Sequence, residues 1–253
     1  MASYPDLAGK IVVITGSSKA LGADTARAFA RQGARVAVNG RDMAAIDALV
    51  DAIEREGGEA IGVAADVTSA TDLLRLSSEV RERLGSVDIL ACFAGGMGQP
   101  VPVLGMDEAL WRQTLDVDLT SKFLAVRAFA PIMREQGSGA IILMNSTSGR
   151  LVSEASAAYG AAQAGTLMFM RHLAHELGPL GVRVNAIAPS IVRNEKMERG
   201  MPPDLQQQVA KTLPLRRLGE PADIAEAAMF LASNASSWIT GQVIDVNGGK
   251  VML

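Results

Sequence analysis

At 253 residues, with 49% hydrophobic residues and a net charge of −3, the chain suits one domain with a substantial core and offers nucleic acid no basic surface. No apolar run reaches the roughly 18 residues of a membrane span, and the first ten residues lack the basic start and apolar stretch of a secretory leader. The one cysteine, Cys92, forms no internal disulfide, and two histidines exclude a Cys/His zinc centre, so the expectation is a cytoplasmic protein with no membrane, nucleic-acid or metal partner.

Taken in chain order, short β-branched runs alternate with helical stretches. Strand 10–15 precedes helix 22–32, strand 35–39 precedes helix 43–56, and strand 60–64 precedes helix 71–84. Strand 87–93 then leads to helix 107–134, strand 140–145 to helix 155–178, strand 183–187 to helix 222–232, and strand 243–246 closes the series. Most of these strands are near-continuous apolar runs, as expected when helices cover both faces of a sheet. The pattern predicts an α/β fold, a doubly wound parallel sheet of Rossmann type, in a single domain over 1–253. The stretch 190–214, with Pro202-Pro203 and several charges, reads as a long irregular connection and a substrate lid.

The first strand runs into Thr15-Gly16-Ser17-Ser18-Lys19-Ala20-Leu21-Gly22, followed by an Ala-rich helix. A glycine there permits a tight turn and the close approach of a pyrophosphate, whose charge meets free N–H groups at the helix N-terminus. The second strand ends in Val38-Asn39-Gly40-Arg41, without the carboxylate that would hold an NAD ribose diol. Arg41 and Lys19 read either as a phosphate-binding pair or as two solvated surface cations. Asp66, after the third strand, reads equally well as a loop carboxylate capping the next helix.

These segments, with Ser146, Tyr159 and the residues between them, resemble the short-chain dehydrogenase/reductase (SDR) family along essentially the whole chain. The turn is similar to the family's TGxxxGxG fingerprint, with Ala20 in the place of the middle glycine. The resemblance implies that Gly16, Ser18, Lys19, Leu21 and Gly22 surround the cofactor's phosphates. It also implies that Lys19 and Arg41 flank a 2′-phosphate, favouring NADP(H) over NAD(H). Asp66 and Val67 match the adenine-contacting segment, and Cys92-Phe93-Ala94-Gly95 stands where the family has Asn-Asn-Ala-Gly, leaving Ala94 and Gly95 against the cofactor and Cys92 and Phe93 in the core. Pro189 and the backbone of Ile191 or Val192 would meet the nicotinamide carboxamide, with Ser190 replacing a glycine and Asn194 a threonine.

The catalytic set departs further. Ser146 and Tyr159 match the family's serine and tyrosine, but its Tyr-x-x-x-Lys reads Tyr159-Gly-Ala-Ala-Gln163, and Asp118 replaces the active-site asparagine in Asp116-Val-Asp118-Leu-Thr-Ser-Lys122-Phe123. By the resemblance the absent lysine would hold the nicotinamide ribose and acidify the tyrosine; Gln163 brings no charge. An unassisted phenol of pKa about 10 is ionised roughly once per thousand molecules at pH 7, about 4 kcal/mol from readiness. Three readings follow: an NADP-dependent oxidoreductase of an unknown alcohol or carbonyl with weak or altered redox activity, a catalytically inactive cofactor-binding homologue, or a non-redox enzyme with Asp118 as base. Exchanging Gln163 for Lys and Asp118 for Asn together is expected to raise carbonyl reduction. Met97, Leu151, Met197 and Met201 are expected along the pocket or lid, Arg150 and Arg193 as solvated charges near its mouth, and His172 and His175 as surface residues. Helices 107–134 and 155–178 resemble the surfaces through which SDR proteins pair, implying a homodimer or homotetramer.

Overall fold

The computed structural model describes residues 2–252, the Lys196 side chain excepted. Apolar runs become strands: β1 (Ile11–Thr15), β2 (Arg35–Gly40), β3 (Glu59–Ala64), β4 (Ile89–Cys92), β5 (Gly139–Met144), β6 (Val182–Pro189) and β7 (Val243–Val246). They form one parallel sheet in the order β3-β2-β1-β4-β5-β6-β7. Every residue of β1 is buried, and its alternate side chains enter two cores. Val13 packs with Leu76, Phe129 and Met170 on one side, Ile14 with Phe29, Ile46 and Met229 on the other. Coverage on both sides is why the strands read as unbroken apolar runs.

The helices are α1 (Ala20–Arg31), α2 (Met43–Arg55), α3 (Ala70–Leu84), α4 (Glu108–Leu115), α5 (Ser121–Gln136), α6 (Ala157–Leu177), α7 (Glu195–Gly200), α8 (Pro203–Thr212) and α9 (Pro221–Ala232). Two differ from expectation. The helix read as 107–134 is α4 and α5 joined through a π turn, Asp116–Thr120, and such turns mark functional positions in many helices. The stretch 190–214, expected to be irregular, carries α7 and α8. Asn194 accepts from Met197 N at 2.9 Å to cap α7, and Pro203 opens α8, where proline's missing N–H costs nothing. The prolines mark a helix start rather than a helix-free segment.

The strand order reverses between β1 and β4, and a crevice opens at the carboxyl ends of these strands. Ligands of open α/β sheets bind at such a switch point.

Candidate functional site

The cleft at the switch point encloses about 1060 Å³, and the residues singled out for cofactor binding or catalysis line it, except Ile191, whose alternative Val192 does. At one end lies the turn after β1. Gly16 has φ +68°, and a Cβ there would sit 2.7 Å from Ala94 Cα, so only glycine lets the β1 and β4 loops meet. A Cβ on Gly22 would meet Gly16 O at 2.4 Å. Ala20 takes φ +51°, a left-handed conformation that costs a residue with a Cβ about 1–2 kcal/mol.

The start of α1 differs from those of its neighbours. Asp42, Ser69, Asp107 and Ser156 cap α2, α3, α4 and α6 through their side chains, whereas Lys19 at the start of α1 gives no such cap. Donors at the positive end of a helix are thus left facing the cleft, an arrangement that fits a pyrophosphate.

Asn39, fully buried, staples this end together. Its Oδ1 accepts from Gly16 N at 3.4 Å and its Nδ2 donates to Val63 O and Ala65 O at 3.2 Å each. The cations beside it are partly committed. Lys19 Nζ lies 2.9 Å from Asp42 Oδ2, which holds that carboxyl below the usual range. Asp66 does not cap α3, whose cap is Ser69; it closes a local turn by accepting from the amide of Thr68 at 2.9 Å and its hydroxyl at 2.7 Å. Those bonds, with Arg41 nearby, keep its carboxyl below the usual range.

The other end is built by β5, the π turn and α6. A Cβ on Gly149 would lie 2.9 Å from the Gln163 carbonyl carbon, so a glycine lets the loop after β5 rest on α6. Asn145 Nδ2 donates to Gln163 O at 2.8 Å, fixing the loop that carries Ser146. Tyr159 stands in the first turn of α6, its N–H accepted by Ser156 Oγ at 3.3 Å. Asp118, fully buried on the π turn, accepts from Gly96 N at 2.7 Å, Met97 N at 3.0 Å and Gln163 Nε2 at 3.3 Å. The Gln163 Oε1 is buried without a partner among the described residues, an orphan acceptor that fits a ligand hydroxyl.

Burial, and next the Asp118 carboxylate, push the Tyr159 phenol up to about 12; Ser146 and Gln163 favour its ionised form without offsetting this. Lys122, one turn beyond Asp118 and equally enclosed, donates to the Asp118 backbone carbonyl. Burial pulls its ammonium below the ordinary lysine value. Burial also pushes the Cys92 thiol up to about 12, leaving it a neutral core group.

Lys122 carries no motif role in the sequence; a lysine four residues after an aspartate is the available signal. Asn39, Asn145 and Asp42 were missed for lack of any motif. Of the remaining expectations, Met97 lines the cleft, while Leu151, Met197 and Met201 do not reach it. Arg150 pairs with Asp245 at 3.3 Å, Arg193 with Glu220 at 2.9 Å, and both histidines are exposed. Among the described residues no acid, cysteine or histidine cluster suits a metal, and no helix is long and apolar enough to cross a membrane.

Comparison with known proteins places this geometry. Residues 16–250 match the family profile described as enoyl-(acyl carrier protein) reductase. The chain is 36% identical over 245 residues to the 7alpha-hydroxysteroid dehydrogenase of Escherichia coli K12, covering 97% of this chain and 95% of that protein. It is 35% identical over 246 residues to a 3-oxoacyl-acyl-carrier-protein reductase of Staphylococcus epidermidis, covering 96% of this chain and 99% of that one. A solved 7alpha-hydroxysteroid dehydrogenase, complexed with NADH and 7-oxo glycochenodeoxycholic acid, superposes with a TM-score of 0.93 at 34% identity, over 100% of this chain and 99% of that chain.

Proposed function

The chain belongs to the short-chain dehydrogenase/reductase family of oxidoreductases, and from that premise we propose that it is an NADP(H)-binding oxidoreductase of a small or medium-sized alcohol or carbonyl compound whose hydride chemistry is attenuated by its own side chains. One observation carries this reading: Tyr159, placed as the proton donor, is pushed up to about 12 beside Asp118, with Gln163 where a cation would acidify it.

The uncapped start of α1, with the Gly16 turn, would hold the pyrophosphate, and Gln163 Oε1 would accept from a ribose hydroxyl. Bound there, the nicotinamide would supply or accept hydride. Ser146 and Tyr159 would hold the substrate oxygen between them. A phenol of pKa about 12 is a reluctant donor to a nascent alkoxide and, in the reverse direction, a rarely available base. Both directions slow together, since they share one transition state.

The NADP(H) preference rests on the end of β2, where Asn39 is spent as a staple and no carboxylate awaits a ribose diol, and on Lys19 and Arg41 beside it. The named relatives act on a hydroxysteroid and a 3-oxoacyl group; what carries over to this cleft is the shared alcohol/carbonyl class. NADPH consumption against a carbonyl panel tests the reading, and turnover at rates ordinary for an unimpaired enzyme sinks it.

The same replacements at 118 and 163 favour a second reading, a cofactor-binding homologue without turnover; firm NADPH binding with no consumption on any carbonyl selects it. Asp118 as a free base is disfavoured, because both its oxygens are engaged by backbone amides. We also propose a cytoplasmic homodimer or homotetramer pairing through α4, α5 and α6, on which Trp111, Phe123 and Met168 are exposed. A monomer by light scattering contradicts this.

A further inference from the structure

Lys122 is one of the largest fully buried side chains in the protein, at 1% exposure, and Asp118 is at 0%. A charge of either kind so enclosed is costly unless an opposite charge or hydrogen bonds answer it. Asp118 has two backbone amides and one side-chain amide, but no direct ion pair, and the Lys122 ammonium binds the carbonyl of Asp118 itself. The charged groups nevertheless flank one point: a methyl on Gly95 would lie 2.5 Å from Asp118 Oδ1 and 3.9 Å from Lys122 Nζ. Of the groups that act on the ammonium, Asp118 is the anion; the other is the neutral Cys92 thiol. Among the described residues no carboxylate makes a direct ion pair with Lys122, and Asp118 is the one that acts on it through space.

We propose that Lys122 is a positioning residue of the cleft: its ammonium is the buried counter-charge to the Asp118 carboxylate, and that carboxylate holds the Gly96 and Met97 amides that shape the wall after β4. Gly95 and Gly96 have φ of +146° and +103°, which glycine adopts freely, so the bonds to Asp118 select this wall from the many conformations open to the pair. The inference concerns the charge and shape of the cleft and holds whether hydride transfer is slow or fast, so its failure and that of the redox reading are separately visible.

The test is a four-protein cycle: wild type, Lys122→Met, Asp118→Asn and the double variant, where Met keeps the lysine stem and Asn the carboxylate shape. In urea unfolding, each single exchange strands a buried charge or its partner and lowers the folded-to-unfolded ratio by about a hundredfold or more, whereas the double loses less than about tenfold. Stem packing alone predicts losses that multiply, and that result overturns the proposal, as does a Lys122→Met protein as stable as wild type. A second readout follows the tether: the Gly96 and Met97 amide protons, deshielded by a carboxylate, move upfield in Lys122→Met, and unmoved resonances count against the role. Should a single variant fail to fold, wild type still decides. Labelled with 15N-lysine at pH 7, it must show an exchange-protected ammonium, and a neutral amine there overturns the assignment.

Discussion

Gln163 Nε2 donates to Asp118 Oδ1 across 3.3 Å, so the two residues on which the proposed attenuation of the chemistry turns are in contact with each other. The two are therefore coupled. On the proposed assignment a carboxylate stands beside a neutral amide where the family pattern would have a neutral amide beside a lysine, and the buried cation is Lys122, one helical turn along from Asp118.

This bears on how family-like chemistry can be restored. Gln163→Lys with Asp118→Asn rebuilds the family pair but leaves two buried lysines and no carboxylate to answer either. Adding Lys122→Met removes the surplus charge. The triple variant should exceed both the double and wild type in NADPH-dependent carbonyl reduction. The gain over wild type is on the order of a hundredfold, the value of bringing a phenol from about 12 to its ordinary value near 10. A double variant that matches the triple would show that Lys122 takes no part in the charge balance.

The phenol can be watched directly. The chain has two tyrosines, so in a Tyr4→Phe background the absorbance of phenolate reports Tyr159 alone. Its midpoint should stand near about 12, and Asp118→Asn should lower it by removing a like charge. The sign for stability follows. An unfolded chain releases this proton near pH 10, the folded protein only near 12, so the contribution is fully present below pH 10 and is lost as pH rises through 12. Tyr159→Phe should flatten that part of the alkaline loss. A midpoint near neutrality would remove the basis for attenuated chemistry.

The sheet was legible because a strand covered on both faces leaves an unmistakable apolar run, and the tight turn after β1 because its glycines answer a steric demand. The two helices of 190–214 were not, since Pro202-Pro203 reads locally as a breaker while Pro203 in place is a helix start. The candidate site was legible to the extent that Ser146, Tyr159 and Gln163, picked out by chemistry and spacing, share one cleft. It was not legible at Lys122, whose meaning depends on complete burial, nor at Asn39 and Asn145, whose partners lie on other strands and helices. Asp42 was hidden for a related reason: the acid that matters at the end of β2 follows Arg41 and faces back to Lys19.

If Lys19 serves a 2′-phosphate as proposed, that last contact competes with it. The Lys19–Asp42 pair is exposed, with side chains 70% and 52% accessible, so water and salt screen it and it is easily given up. Asp42→Asn keeps an oxygen to accept from Ala45 N and so retains the α2 cap, while freeing Lys19 for a 2′-phosphate. NADP(H) affinity should rise by up to about fivefold with NAD(H) unchanged, and raised salt should erase the gain. Fluorescence titration with both cofactors decides. A fall in NADP(H) affinity would mean that Lys19 serves the turn rather than the phosphate.

Ala20 gives the last prediction. Among the described residues only Ala20 and Arg216 combine a positive φ with a side chain, and Ala20 does so inside the turn facing the cleft. Two effects oppose each other in Ala20→Gly. Glycine relieves the left-handed strain, about 1–2 kcal/mol, but enlarges the freedom of the unfolded chain, about 0.4–1 kcal/mol. Relief is the larger, so the variant should be more stable by about 0.5–1 kcal/mol, a rise of a few degrees in Tm. Deleting the methyl also clears the path of a pyrophosphate to the amides of α1, so NADPH should bind more tightly as well. The two consequences are separable, because strain relief alone raises Tm without moving Kd. A variant that melts earlier than wild type would show that the turn is tuned to alanine, and that its departure from the family's glycine is no defect.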